Sequence, residues 1–281
     1  MARRLAVVAA VLLIAGCGAP PGPSALTVGA AADAQSQVLA YLYAGALRGA
    51  GAAAQVESAV DPVAALDAGE LTVVPGFTGR LLSVFAPDSL ARSDKQVYWA
   101  LAGALPDDLA LGDYDMTATD KPALAVTAER AAAWGGSDLR ALVTHCAGLI
   151  VGKVTGAQVP ASLGRCDWGK PREFADEAAL FAALRARQIT AAWTSTADPG
   201  LSAKAGGIVV LADSRPALVR AENVVPVYRR NALTESELLA VNQVAGVLDT
   251  AALAEMTRRV AAGADPQTVV DAFLDEHPLG R

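Results

Sequence analysis

Leu71-Thr72-Val73-Val74-Pro75-Gly76 decides the fold: a short apolar run stopped by a turn pair, it is the third such run in a segment where strands alternate with helical spacing. Upstream of it, Pro62 to Ala68 reads as a short helix and Val56-Glu57-Ser58 as a strand. Further back, Val38, Leu39, Leu42, Tyr43, Ala46 and Leu47 recur at helical spacing until Gly49 and Gly51 stop the helix, and Leu26-Thr27-Val28-Gly29 opens the segment as a buried strand. Strands alternating with helices imply a parallel sheet, and in such sheets ligands bind beyond the carboxyl ends of the strands. The turns after Gly29 and after Val74 are therefore the first candidate sites.

Downstream, the same logic repeats. Ala123 to Val126, Leu149 to Gly152, Ile189 to Trp193 and Ile208 to Leu211 are strand-like, a helix starts at Asp138, and Glu173 to Arg187 has helical spacing at Phe174, Ala178, Phe181 and Leu184. After Asn223-Val224-Val225-Pro226-Val227 the chain reads as helix over Thr234 to Leu248, Thr250 to Ala262 and Asp265 to Glu276, with Thr234/Glu237 and Asp265-Pro266 as start signals. Tyr43 reads as core and Tyr41 as exposed, because residues two apart on a helix cannot share a face. Tyr98, Trp99 and Trp134 read as packing residues.

At the amino terminus, Arg3 and Arg4 precede the apolar run Leu5 to Ile14, which ends in Ile14-Ala15-Gly16-Cys17. This run is shorter than the roughly 20 residues a spanning helix needs, so residues 1–17 read as a secretion signal cleaved before Cys17. Small residues before a cysteine resemble a bacterial lipobox, which makes Cys17 the site of a lipid anchor that ties the chain to the outside of the cell membrane. Residues 18–24, rich in Gly and Pro, are expected to form a flexible tether. The remainder is long enough for one large domain or two lobes. The 53% hydrophobic content owes much to alanine, and a net charge of -6 with no basic cluster speaks against nucleic acid as a partner. In an oxidising compartment Cys146 and Cys166 either form a disulfide, worth roughly 3 kcal/mol, or remain two buried thiols.

The order of these pieces resembles the glycine betaine/choline class of ABC substrate-binding proteins, the ProX-like or OpuAC family. Ala64-Ala65-Leu66-Asp67-Ala68-Gly69-Glu70-Leu71 followed by Val74-Pro75-Gly76-Phe77-Thr78-Gly79 is similar to that family's most recognisable motif. Leu42-Tyr43-Ala44-Gly45-Ala46-Leu47 matches its opening helix, Ala123-Leu124-Ala125-Val126 and Asn223-Val224-Val225-Pro226-Val227 its two crossover strands, and Asp265-Pro266 with Val269-Val270-Asp271-Ala272-Phe273-Leu274 its closing helix. The resemblance covers nearly all of the chain after the signal. It implies an α/β, two-lobed type II periplasmic-binding-protein fold with two crossover hinge segments near Asp120 to Pro122 and Glu222 to Val225. Residues 25–120 and 226–281 would form one lobe and 121–225 the other. The implied protein is a monomer that holds a small-molecule ligand between its lobes and delivers it to the ABC permease of an importer.

This sequence departs from the family at the binding site. Relatives that bind quaternary ammonium compounds use a box of aromatic rings, each strong contact worth about 0.5 to 2 kcal/mol. Laid over this chain, the box positions fall on Phe77, Pro122, Ser195 and Glu222, so a single ring survives, and Ala30-Ala31-Ala32 stands where a lysine is usual. Glycine betaine is then not the expected best ligand. A zwitterion would suit Glu222 for its ammonium and Arg80 for its carboxylate, with Trp193 as an aromatic wall and Asp33, Ser36, Thr78, Thr196 and Asn223 fixing hydroxyls. The competing reading makes Phe77 and Trp193 core residues, and Glu222 and Arg80 rim charges or partners of other residues.

Catalysis finds little support. With His145 and His277 the only histidines, no serine nucleophile is placed beside a base with an orienting carboxylate. His145-Cys146 lacks chelating spacing, which speaks against a metal, and neither a phosphate loop nor a dinucleotide fingerprint occurs, so no cofactor is expected. The other rival to transport is a lipoprotein that senses a ligand or acts as an envelope scaffold.

Overall fold

A computed structural model describes residues 25–157, 159–160, 162–198 and 207–280. The signal, Cys17 and the tether lie outside the described residues. The chain first lays down β1 (Leu26–Ala30), α1 (Ala34–Gly49), β2 (Ala54–Ser58), α2 (Pro62–Asp67), β3 (Val73–Phe77), α3 (Thr78–Phe85), α4 (Asp94–Ala104) and β4 (Leu109–Leu111). It continues through β5 (Pro122–Thr127), α5 (Ala128–Ala133), α6 (Leu139–Thr144), β6 (Val151–Val154), β7 (Ser162–Leu163), β8 (Cys166–Asp167), β9 (Arg172–Phe174), α7 (Glu177–Arg185), β10 (Ala191–Ser195) and β11 (Ile208–Val210). It closes with β12 (Val224–Arg229), α8 (Glu235–Gln243), α9 (Thr250–Ala261) and α10 (Pro266–Glu276).

These elements build two lobes, each around one five-stranded sheet. The first sheet has the order β2-β1-β3-β12-β4 and the second β11-β5-β10-β6-β9. In each sheet a strand that arrives from the other lobe is antiparallel to its neighbours: β12 against β3 and β4, β5 against β10 and β11. The chain therefore crosses twice, and the two crossing segments run side by side. The Asp120 N–H donates to the Glu222 carbonyl at 2.9 Å and the Val224 N–H to the Ala118 carbonyl at 3.0 Å, with Thr119 and Asn223 paired between them. The second lobe boundary expected between residues 225 and 226 falls inside β12, whose first residues already belong to the first sheet.

Local chemistry explains the elements. Asp33 caps α1 by accepting from the Ser36 N–H at 2.9 Å, and the helix buries Val38, Leu39, Leu42, Tyr43 and Leu47 against α8, α9 and α10. Thr234 and Glu237 form the expected capping box of α8. Below the other lobe, Leu124, Leu139, Leu142, Val151 and Trp193 form a core closed by the Cys146–Cys166 disulfide, whose Cα atoms lie 5.1 Å apart.

Several sequence expectations shift. The third strand does not end at Pro75-Gly76 but runs through them to Phe77, with Pro75 opposite Pro226. The Pro226 carbonyl accepts from Gly112 on the far side, so the backbone polar groups of this pair face away from each other and neither proline is asked for a donor between β3 and β12. Phe174 belongs to β9 rather than to a helix, and α7 starts only after its cap Asp176. The helix expected to reach Leu248 ends at Gln243 and tightens into a 3-10 turn over Val244–Gly246. Tyr41 is partly buried against the core that contains Tyr43, and Trp99 is 70% exposed rather than packed.

Candidate functional site

Where the parallel strands end and the ribbon crosses, two cavities separate the lobes. One, of about 340 Å³, is lined among others by Arg80, Asp120, Pro122, Glu177, Trp193 and Ser195. The other, of about 540 Å³, involves Arg92, Lys121, Asp213, Arg215, Glu222 and Asn223. The smaller one lies at the carboxyl ends of β6 and β10 and beside the turn after β3, where the parallel-sheet rule puts a ligand.

The turn from β3 into α3 is the best-built part of the site. Phe77 ends the strand, and Thr78, fully buried, ties α3 to the returning chain: its N–H donates to the Asn223 carbonyl at 2.9 Å and its hydroxyl accepts from the Asn223 N–H at 3.1 Å. No side chain of the helix's own caps α3. Glu222 does so from the other crossing segment, its carboxylate accepting from the Arg80 N–H at 2.9 Å and from the Gly79 N–H. Such an approach needs a glycine, because a Cβ on residue 79 would stand 2.5 Å from the Ala221 carbonyl oxygen and 2.6 Å from Glu222 Oε1. Burial pushes the Glu222 carboxyl up to about 7, against the lowering effect of the Arg80 N–H and charge.

From that first turn the Arg80 side chain reaches back over the Phe77 ring, with Cζ 4.3 Å from the ring centroid. Its guanidinium is ion-paired to Asp120 and reaches Gln35 Oε1 at 3.3 Å. On the opposite wall Trp193 is buried, edge-on to Trp168 at 5.8 Å, and its indole N–H has no hydrogen-bond partner among the described residues. Glu177 lies in the first turn of α7 and hydrogen-bonds Asp198, which in turn accepts from Thr194. Burial, and then the Asp198 charge, push the Glu177 carboxyl up to about 7.

The structure thus brings Arg80, Pro122, Trp193 and Ser195 to one cavity, with Phe77 beneath Arg80. It gives other work to the rest. Glu222 caps α3 and faces the larger cavity with Asn223, whose side chain donates to the Asp115 carbonyl at 2.7 Å. Thr78 is sealed in the hinge, and Thr196 accepts from the Lys121 N–H at 2.9 Å. Asp33 and Ser36 make the α1 cap and line neither cavity. Sequence reasoning missed Asp120 and Glu177 as cleft residues. Asp120 precedes a crossover strand by two positions, which is a usable signal, whereas Glu177 reads as an ordinary first-turn acid until the fold sets Asp198 beside it. Among the described residues no group of three or more His, Cys, Asp or Glu side chains could hold a metal ion.

Two α/β lobes, a double crossing and a cleft at the sheet ends define a two-lobed solute-binding protein. The chain matches the family described as the substrate-binding domain of the ABC-type glycine betaine transport system over residues 24–160 and 167–276, and it belongs to that family. This is a family of extracytoplasmic solute-binding proteins of ABC transporters, not of enzymes. Among solved structures it is similar to a glycine betaine/carnitine/choline ABC transporter protein (17% identity, TM-score 0.72, 90% of this chain and 98% of that one). It is also similar to apo YehZ from Escherichia coli (20%, 0.65, 91% and 99%) and to lactococcal OpuAC complexed with glycine betaine (13%, 0.55, 90% and 95%). At these identities the likeness carries the fold. No curated protein matches the chain.

Proposed function

We propose that this protein is a lipid-anchored receptor that captures a small zwitterion other than glycine betaine and hands it to the permease of an ABC importer. The observation that carries the choice of ligand is the lining of the 340 Å³ cavity, which offers the Arg80 guanidinium from one lobe and the Glu177 carboxyl from the other, with a single ring beside them. Glu222, the acid expected from the sequence to meet the ammonium, is taken by the α3 N-terminus, and Glu177 assumes that role. A zwitterion bridging Arg80 and Glu177 touches both lobes and so favours the closed state. Cys17, lipid-modified on its thiol and left as the first residue once the signal is cleaved before it, holds the monomer at the membrane through the tether of residues 18–24.

Isothermal titration of the soluble body with glycine betaine, choline, amino acids and polyols tests the ligand assignment. An amino-acid-like zwitterion should bind with micromolar or better affinity, and tighter binding of glycine betaine overturns the proposal. Intact mass of the membrane-extracted protein tests the anchor, which predicts a diacylglyceryl adduct on Cys17.

A further inference from the structure

The neighbour complexed with glycine betaine holds a methylated cation; such a group, like that of choline, offers no hydrogen-bond donor on nitrogen and is held by the faces of aromatic rings. Here the Phe77 ring already has a cation over it, supplied by the chain. Arg80 follows Phe77 by three residues on the first turn of α3, and its own N–H is pegged to Glu222. Its guanidinium is held from behind by the ion pair with Asp120, by the Asp120 carbonyl at 3.4 Å and by Gln35. The Asp120 side chain is 8% exposed and the Arg80 side chain 52% exposed, so the pair is anchored on its inner side and open on the side of the cavity that both line.

We propose that Arg80 is the specificity-determining residue of this cleft: a tethered cation that fills the Phe77 face, excludes quaternary ammonium groups and turns its free N–H donors to the anionic group of the solute. A methylated ammonium could reach the ring only by displacing the guanidinium, which would strand Asp120 as a buried carboxylate without its counter-charge. Left in place, the guanidinium repels it. A carboxylate meets no such conflict, since the planar fork offers it two parallel hydrogen bonds. This inference rests on the cleft being the binding site, as in the function proposed above, but not on the solute being a zwitterion.

The test is choline titration by calorimetry against the soluble body, comparing the wild type with an R80M/D120N variant that removes the cation and its buried partner together, and with the same variant carrying F77L. The double variant should bind choline at least tenfold more tightly than the wild type, and F77L should cancel that gain. Wild-type protein that binds choline as tightly as the double variant overturns the proposal, and so does a gain that survives F77L. Should the double variant melt well below the wild type, R80Q, which can still donate to Asp120, takes its place, and the absence of a gain in a folded R80Q protein overturns the proposal equally. A gain in choline affinity beside a wild type that binds no zwitterion retains the role of Arg80 and rejects the zwitterion.

Discussion

Glu222 shows how one side chain is claimed by structure before function can use it. Its carboxylate is 7% exposed as a residue and pushed up to about 7, whereas the unfolded chain has it near the ordinary value of 4.5. Between those values the folded protein binds a proton that the unfolded chain does not, so this group's contribution to stability rises as pH falls from about 7 toward 4.5 and is lost as pH rises. E222Q should flatten that slope, measured as urea midpoints at pH 5 and pH 8, with a relative gain at pH 8 on the order of 1 to 3 kcal/mol. An unchanged slope would assign the pH dependence to Glu177 or Asp115, whose carboxyls are also raised by burial. Gly79 belongs to the same knot. G79A must push a Cβ against backbone at 2.5 Å and should cost about 2 kcal/mol or more in denaturant unfolding, although the helix interior by itself favours alanine.

At the scale of elements, the ends of helices decide which polar residues remain for a ligand. Asp33 looked available in the sequence as a hydroxyl-binding group in the turn after β1, yet it satisfies the start of α1. D33A should therefore lower stability by about 1 kcal/mol while leaving solute affinity within twofold, read by thermal melting and calorimetry on the same samples. In the second lobe, the disulfide from Cys146, just past α6, to Cys166 in β8 ties a two-stranded ribbon to the core. Changing both cysteines to serine should cost about 3 kcal/mol with little effect on the cleft, because neither cysteine lines it. A loss well below 1 kcal/mol would show that packing of Leu163 and Trp168 alone holds the ribbon.

For the molecule as a whole, the mechanical unit is the pair of crossing segments. The paired segments at Thr119 and Asn223 lie between the two cores, so small torsional changes there would turn one sheet relative to the other. Solution scattering with and without a bound solute should show the radius of gyration fall on binding, whereas an unchanged value would reject closure. Much of this was legible in the sequence. Alternating periods announced α/β layers and the capping residues Thr234 and Asp265 the last helices, because periodicity and capping are set by neighbours along the chain, while the two lobes followed from the family that the ordered motifs resemble. The passage of β3 through Pro75 was not legible, since what permits it is the register against β12, a strand far away in sequence. The same holds for the site. Sequence by itself named Pro122 and Ser195 by motif position and Arg80 and Trp193 by their chemistry, but it named Asp33 and Ser36 with them. Only the tertiary structure decided that Glu222 serves a helix end, that Glu177 faces the cavity, and that Arg80 lies on Phe77. Those outcomes depend on which buried group reaches a charge or an unpaired N–H first, and that competition is settled in space between segments the chain holds far apart.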